Sequence, residues 1–210
     1  MANEVRLTTP KGIAQFAWLN KADTKFNDMG EYKVNLIVPE KEAKAFCKQV
    51  SEARDAFIGS DKKKKKAPLP FEKEVDDQGN ETGNIIIKTK VKNSRTRDGG
   101  VWERKPKLFD AIGQKIDANI GGGSTIKVNV QVYIWDVATA GGVGVMLQPV
   151  AVQVIDLVEF GGSALASSFG FEVEDGFVSE MLKESDTPTK EPSTDDMDTA
   201  DTTDEDSDLY

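Results

Sequence analysis

Three lysines, Lys88, Lys90 and Lys92, alternate with Thr89 and Val91 downstream of Ile85 and Ile87. This period-two spacing predicts a strand over about residues 84–93 with one apolar and one cationic face. Its ammonium groups would stand about 6.5–7 Å apart, a spacing that can follow a phosphate backbone. A second segment, 125–137, has the same alternation. Ile126, Val128, Val130, Val132 and Ile134 share one side, and Lys127, Asn129, Gln131, Tyr133 and Trp135 the other. Two large rings among polar neighbours need either a covering surface, such as an acidic segment or another subunit, or a ligand. Ring faces stack on unpaired bases at about 1–3 kcal/mol per base. Trp102 beside Arg104, Lys105 and Lys107 mixes a ring with cations again, and Arg95 and Arg97 precede it. Only Asp98 and Glu103 oppose the basic residues of 88–107. Phe16 and Trp18 put two more rings on one strand face, suited to a site or to a core. A basic face interleaved with aromatics, without a base-reading motif, points to single strands rather than duplex sequence readout.

Catalytic chemistry finds little support. The 210 residues include no histidine, which removes the usual general base and imidazole metal ligand. The single cysteine, Cys47, excludes an internal disulfide and a multi-cysteine zinc site. Gly121-Gly122-Gly123-Ser124 lacks the lysine of a nucleotide-hydrolase phosphate loop, and a strand pattern follows it. Asp76-Asp77 and Asp195-Asp196 are neighbours in expected loops, without metal-ligand spacing. The expectation is therefore a binding protein: no catalytic residue, no metal and no cofactor. A hydrolase or nuclease is the weakest alternative. A protein-interaction adaptor, with a peptide on the aromatic face and a merely solubilising tail, is the stronger one. No apolar run approaches the roughly 18 residues that cross a bilayer, and the N-terminus lacks a signal-peptide pattern. A soluble, intracellular chain is expected.

The net charge of −9 conceals two unlike parts. Residues 1–171 hold 25 lysines and arginines against 21 carboxylates, whereas 172–210 hold 2 against 15. The acidity thus belongs to the last 39 residues, whose composition predicts a largely disordered tail. That tail ends in Asp204, Glu205, Asp206 and Asp208 before Leu209-Tyr210, a pattern suited to an interaction hook.

The elements that must position these residues follow from punctuation. Tyr32, Val34 and Leu36 alternate as one strand face. A helix is expected over 40–58 after Pro39, with the stripe Ala43, Phe46, Cys47, Val50, Ala53 and Phe57 and a stop at Gly59. On that stripe Cys47 reads as packing, not as a nucleophile. Lys62 to Lys66, beside Pro68 and Pro70, predict a flexible lysine-rich loop over 59–72. A turn is expected at Gln78-Gly79-Asn80, and strands at about 84–93, 101–109, 125–137 and 145–158, the first pair forming a hairpin across Gly99-Gly100. A short helix is expected over 172–183, around Phe177, Met181 and Leu182. The class is mainly β, a small antiparallel barrel or sandwich with one helix.

These segments, taken in order, resemble phage single-stranded DNA-binding proteins of the T-seven type. The likeness rests on Gly30-Glu31-Tyr32-Lys33-Val34, Phe109-Asp110 with Gly113-Gln114-Lys115, and Ile120-Gly121-Gly122-Gly123-Ser124 running on to Tyr133-Ile134-Trp135. Leu147 to Glu159, Phe160-Gly161-Gly162 and the acidic tail complete it. The resemblance implies an OB-fold barrel over 1–171 and a protein that coats single strands in phage DNA replication, recombination and repair, in the cytoplasm of the infected bacterium. It implies a cleft lined by Tyr133 and Trp135 together with basic residues. It further implies a tail that competes with DNA for the cleft and contacts the replication polymerase and helicase-primase, and a homodimer. Tyr210 stands where the family has a terminal phenylalanine.

Overall fold

A computed structural model describes residues 5–61 and 63–159. The expected helix over 172–183 and the tail residues Asp204 to Tyr210 lie outside the described residues, as does Lys62. The elements run β1 (Val5–Thr8), β2 (Gly12–Asp23), β3 (Glu31–Pro39), α1 (Glu40–Ile58), β4 (Phe71–Val75), β5 (Glu81–Lys92), β6 (Ser94–Arg95), β7 (Val101–Trp102), β8 (Lys107–Phe109), β9 (Thr125–Val137) and β10 (Gly142–Asp156).

Strand β9 pairs with β2 on one edge and β10 on the other, while β2 pairs β3, β3 pairs β5 and β5 pairs β10. Followed in that order, the ladders return to β9, so five strands close into a ring, the arrangement expected of an OB-like barrel. Pairing is antiparallel except where β10 meets β5 and β8. Inward residues of each strand fill the ring: Ala14 and Leu19 from β2, Val34, Leu36 and Val38 from β3, Ile85 and Ile87 from β5, Ile126, Val128 and Val130 from β9, and Leu147 and Val152 from β10. Tyr32 is buried too, and its hydroxyl donates to the Glu103 carboxylate.

The helix occupies the span that its pattern predicted. Pro39 fixes its entry, Glu40 and Glu42 favour its positive end, and Gly59, at φ 59, donates its N–H to the Asp55 carbonyl at 3.0 Å. Ala43, Phe46 and Val50 are buried, while Cys47 and Ala53 pack at the margin. Burial pushes the Cys47 thiol up to about 11, which leaves it protonated and unreactive at neutral pH. Phe57 departs from the expected stripe: it is exposed, and Arg54 takes the buried position. The reason is a tertiary hydrogen bond, because the Arg54 guanidinium donates to the Ala67 carbonyl at 3.0 Å. In the lysine-rich segment, Lys66 bridges Val143 of β10, Lys64 lies 2.9 Å from Asp136 and Lys66 lies 3.0 Å from Asp55.

Two strand expectations need correction. Residues 101–109 do not form one strand, and they do not pair with β5. Gly99-Gly100 does turn a hairpin, but a short one between β6 and β7, with Ser94 opposite Trp102. Asn93 explains the break: its N–H donates to Gly30 O, its side-chain amide donates to Met29 O and its side-chain oxygen accepts the Arg104 N–H at 2.8 Å. Pro106 then removes a ladder donor before β8.

At the end of β2, Lys33 places its ammonium 2.6 Å from buried Asp23 and 3.2 Å from Glu31. The Lys33 ammonium, helped by the Lys25 backbone N–H, holds the Asp23 carboxyl below its ordinary 3.8. A depressed native value contributes stability above that ordinary range, and the contribution is lost as pH falls through the native value. Urea unfolding followed from pH 6 down to pH 2 should therefore show a steeper acid loss for the native chain than for Asp23→Asn, which is less stable at neutral pH. Parallel curves for the two proteins would remove this pair from the acid response.

Candidate nucleic-acid interface

The antiparallel pair β9–β10 builds the wall that carries the aromatic residues. Buried Val130 and Val132 point into the barrel, so Tyr133 and Trp135 are set towards its outer side. Tyr133 lies opposite Met146 and Trp135 opposite Gly144. The Tyr133 ring is about half exposed, at 49%. The Trp135 indole rests against the bare backbone of Gly144: a Cβ there would come within 2.1 Å of its Cζ2. One ring edge is thus held by the protein, and no residue larger than glycine at 144 permits this pose.

The β6–β7 hairpin supplies a third ring. Trp102 is 60% exposed, and the Arg104 guanidinium lies 5.5 Å from its ring centre. Arg104 also donates to the Gln148 side-chain oxygen at 2.6 Å. Gln148 is buried on β10, opposite Gln131 of β9 and two residues from Met146. Arg104 therefore ties the base of the hairpin to the wall that bears Tyr133. The Glu103 carboxylate beside Tyr32 adds to burial in raising that phenol above its ordinary 10.0, so Tyr32 stays a neutral donor and a strut.

The cations divide by partner. Lys88 is 2.7 Å from Glu72, and Lys105 is 3.6 Å from Asp117. Lys90, Lys92, Arg95 and Arg97 are exposed and have no carboxylate partner among the described residues. Leu147 of β10 lies opposite Thr89 of β5 with both side chains inward, which sets Met146 and Gln148 beside Lys88 and Lys90. The structure thus brings Tyr133, Trp135, Trp102, Arg104, Lys88 and Lys90 into one region.

Other expected residues stand apart. Lys127 lies on the same strand face as Tyr133, but six residues away, about 20 Å at strand rise. Lys107 lies on β8 opposite Ala151. Phe16 and Trp18 lie on β2, where the register shifts between Gln15 and Trp18 and Phe16 takes φ 51. They line a groove of about 890 Å³ with Ile13, Ile37 and Ile120. The tail residues Asp204, Glu205, Asp206, Asp208, Leu209 and Tyr210 lie outside the described residues. Sequence reasoning missed Arg6, which faces Gln131 from β1; its place between Val5 and Leu7 was the available signal. It also missed Gln148, Asn93 and Gly144, whose roles depend on partners distant in sequence.

The Gly121–Ser124 turn is structural. Ser124 is buried, its hydroxyl donating to Gly121 O and accepting the Val158 N–H at 3.0 Å. Asp76 likewise closes the β4–β5 turn by accepting N–H bonds from Gln78 and Asn80. Among the described residues no group of three or more histidine, cysteine or acidic side chains is placed to hold a metal ion.

Comparison with known proteins shows the family and the fold. The family described as the single-stranded DNA-binding protein of bacteriophage T7 matches residues 11–157. The crystal structure of gp2.5, a single-stranded DNA-binding protein encoded by bacteriophage T7, is similar at a TM-score of 0.60 and 23% identity, covering 84% of this chain and 99% of that one. The single-stranded DNA-binding protein from bacteriophage Enc34, in complex with single-stranded DNA, is similar at a TM-score of 0.53 and 14% identity, covering 75% of this chain and 89% of that one. No curated protein matches the chain. At these identities the structural likeness speaks for the fold, whereas the family match spans most of the barrel, including the strand bearing Tyr133 and Trp135. The chain belongs to the family of T7-type phage single-stranded DNA-binding proteins.

Proposed function

We propose that the wall of β9 and β10, with the β6–β7 hairpin and the outer face of β5, binds single-stranded DNA without sequence readout. The observation that carries this reading is the junction at Arg104, which joins a ring platform, Trp102, to the wall of Tyr133 while unpaired cations flank it. Tyr133, Trp135 and Trp102 stack on bases released from the helix. Lys88, Lys90, Lys92, Arg95, Arg97, Arg104 and Lys105 neutralise phosphates, with Lys107 and Lys127 on the periphery. Phosphate neutralisation releases counterions, so affinity falls as salt rises. The protein acts by coating transient single strands in phage replication, recombination and repair, within the host cytoplasm, and performs no covalent chemistry itself.

The segment 172–210, with a net charge of −13, serves as a tethered polyanion. At the high local concentration that a tether provides, it competes with DNA for the basic wall. When DNA displaces it, Asp204 to Tyr210 become available to the replication polymerase and helicase-primase. This division assigns DNA binding to residues 1–171 and partner recruitment to the tail, and pairing of two copies of the barrel completes the assembly.

Tyr133→Ala and Trp135→Ala should each weaken oligo-dT binding by 1–3 kcal/mol, about 5- to 150-fold, with little change in the slope of log affinity against log salt. Lys90→Ala should instead reduce that slope by about 0.7. Fluorescence titration over a salt series reads both, and unaltered affinity in both aromatic variants takes them out of the site. Gly144→Ala should displace the Trp135 indole, shift its emission to the red and weaken oligo-dT binding towards the Trp135→Ala level. Unshifted emission would show that the ring does not rest on residue 144. Deleting residues 186–210 should tighten DNA binding while abolishing polymerase and helicase recruitment, as pull-down and anisotropy assays can determine; unchanged DNA affinity would end the competition account.

A further inference from the structure

The lysine-rich segment after α1 has no role in the wall proposed above, yet the fold seats it firmly against β10. The Val143 N–H donates to Lys65 O at 2.8 Å, the Ala67 N–H donates to Val143 O at 2.9 Å, and Lys66 bridges Val143 in parallel sense. Arg54 of α1 holds the Ala67 carbonyl at 3.0 Å. At Gly142, with φ 109, a Cβ would run into the Lys65 carbonyl, so the close approach depends on glycine there. A run of like charges repels itself, and one that served solvation alone would gain nothing from so fixed a seat.

The lysines alternate in their partners. The Lys64 ammonium lies 2.9 Å from Asp136 and 5.1 Å from the centre of the Phe57 ring, and Lys66 lies 3.0 Å from Asp55. These two fasten the segment. Lys63 and Lys65 are exposed and their ammonium groups have no carboxylate partner among the described residues. Lys63 meets Asp61 through its backbone N–H, at 3.0 Å. Asp136 directly follows Trp135 in β9, so Lys64 also offsets a carboxylate that would repel a phosphate near the indole.

Register decides what the free pair faces. Val143 stands opposite Asp136, and Gly144, which seats the indole, stands opposite Trp135. The segment takes the edge of β10 away from β9, the same edge on which Thr89 pairs with Leu147, and both pairings are parallel. Paired residues share a face, so Lys65 stands level with Gly142 as Lys88 and Lys90 do with Met146 and Gln148. From Gly142 to Gln148 is about 20 Å at strand rise. A row of cations thus runs along one side of β10 while Tyr133 and Trp135 line the other. We propose that Lys63 and Lys65 form a further phosphate subsite, which takes the backbone of single-stranded DNA where it runs on past Trp135. The subsite rests on the DNA-binding reading of the wall and lengthens its footprint. Compact ammonium groups on flexible stems, carried by a fixed backbone, suit phosphates whose exact positions vary with sequence.

The test uses the full chain and a long oligo-dT. Lys63→Ala with Lys65→Ala should lower the slope of log affinity against log salt by about 1.4, which makes the affinity loss between 50 and 200 mM salt about sevenfold smaller. Lys41→Ala with Lys44→Ala, on the exposed first turns of α1, removes the same charge and should leave the slope where it is. An unchanged slope in the loop pair, or an equal fall in both pairs, overturns the subsite. Tighter DNA binding by the loop pair would assign these lysines to the acidic segment 172–210 and overturns it as well. Tyr133→Ala and Trp135→Ala report on the wall separately: if they weaken binding and the loop pair keeps the native slope, the subsite alone falls. A second measurement needs no variant. Oligo-dT should slow acylation of Lys63 and Lys65 in the native chain and leave Lys41 and Lys44 unaffected, as read by peptide mass spectrometry. Equal rates at Lys63 and Lys65 with and without DNA would also overturn the subsite.

Discussion

Everything at the surface depends on the ladder between β9 and β10, which runs from Val137 opposite Gly142 to Thr125 opposite Asp156. Burial of Ile126, Val128, Val130 and Val132 against Val145, Leu147, Val152 and Val154 allows one register. A one-residue slip would turn that entire set to water and bring Lys127, Gln131 and Tyr133 inward. At about 25 cal/mol per Å² of apolar surface, so costly a reversal leaves the register no competitor. The outward positions of Tyr133 and Trp135 are therefore a consequence of core packing. The barrel interior and the aromatic wall are two faces of one constraint, and Gly144 adds a local one by leaving space for the indole.

Electrostatics sort the same surface a second time. Lys33 is taken up by Asp23 and Glu31, and Lys88 and Lys105 each have an acidic neighbour, whereas the hairpin arginines and Lys90 and Lys92 have none among the described residues. Exposed ion pairs are worth little and exchange readily, so Lys88 and Lys105 can release their carboxylates at small cost. Arg104 differs in kind. Its backbone is held by Asn93 and its guanidinium by Gln148 and the Trp102 face, so it presents charge from a fixed position.

How much of this was legible in the sequence follows from the range of the interactions. Helix α1 was readable to its ends because apolar period, Pro39 and Gly59 are all local. Strand β9 and its two faces were readable because an apolar residue at every second position from Ile126 to Ile134 admits no other period. The break in 101–109 was not, since Asn93 binds Met29 and Arg104, and nothing within a window around residue 93 announces either partner. Strand β4 is five residues with three charges, too short and too polar for an alternation signal. Phe16 and Trp18 were visible as rings, but their groove arises from a bulge with a positive φ at a phenylalanine, where sequence gives no glycine to mark it.

The spacing of the rings also bears on the proposal that this wall takes single strands. Residues two apart on a strand lie about 6.5–7 Å apart, whereas stacked bases in a duplex strand rise 3.4 Å. A nucleic acid that engages both Tyr133 and Trp135 must therefore leave the stacked helical geometry, either by extending or by carrying a base between the two rings. In a duplex that departure breaks base pairs, and in an already single strand it breaks only residual stacking. Under that proposal the discrimination needs no group that reads a base edge. It follows from the two-residue period of the strand, the same period that buries the alternate residues of β9 in the core.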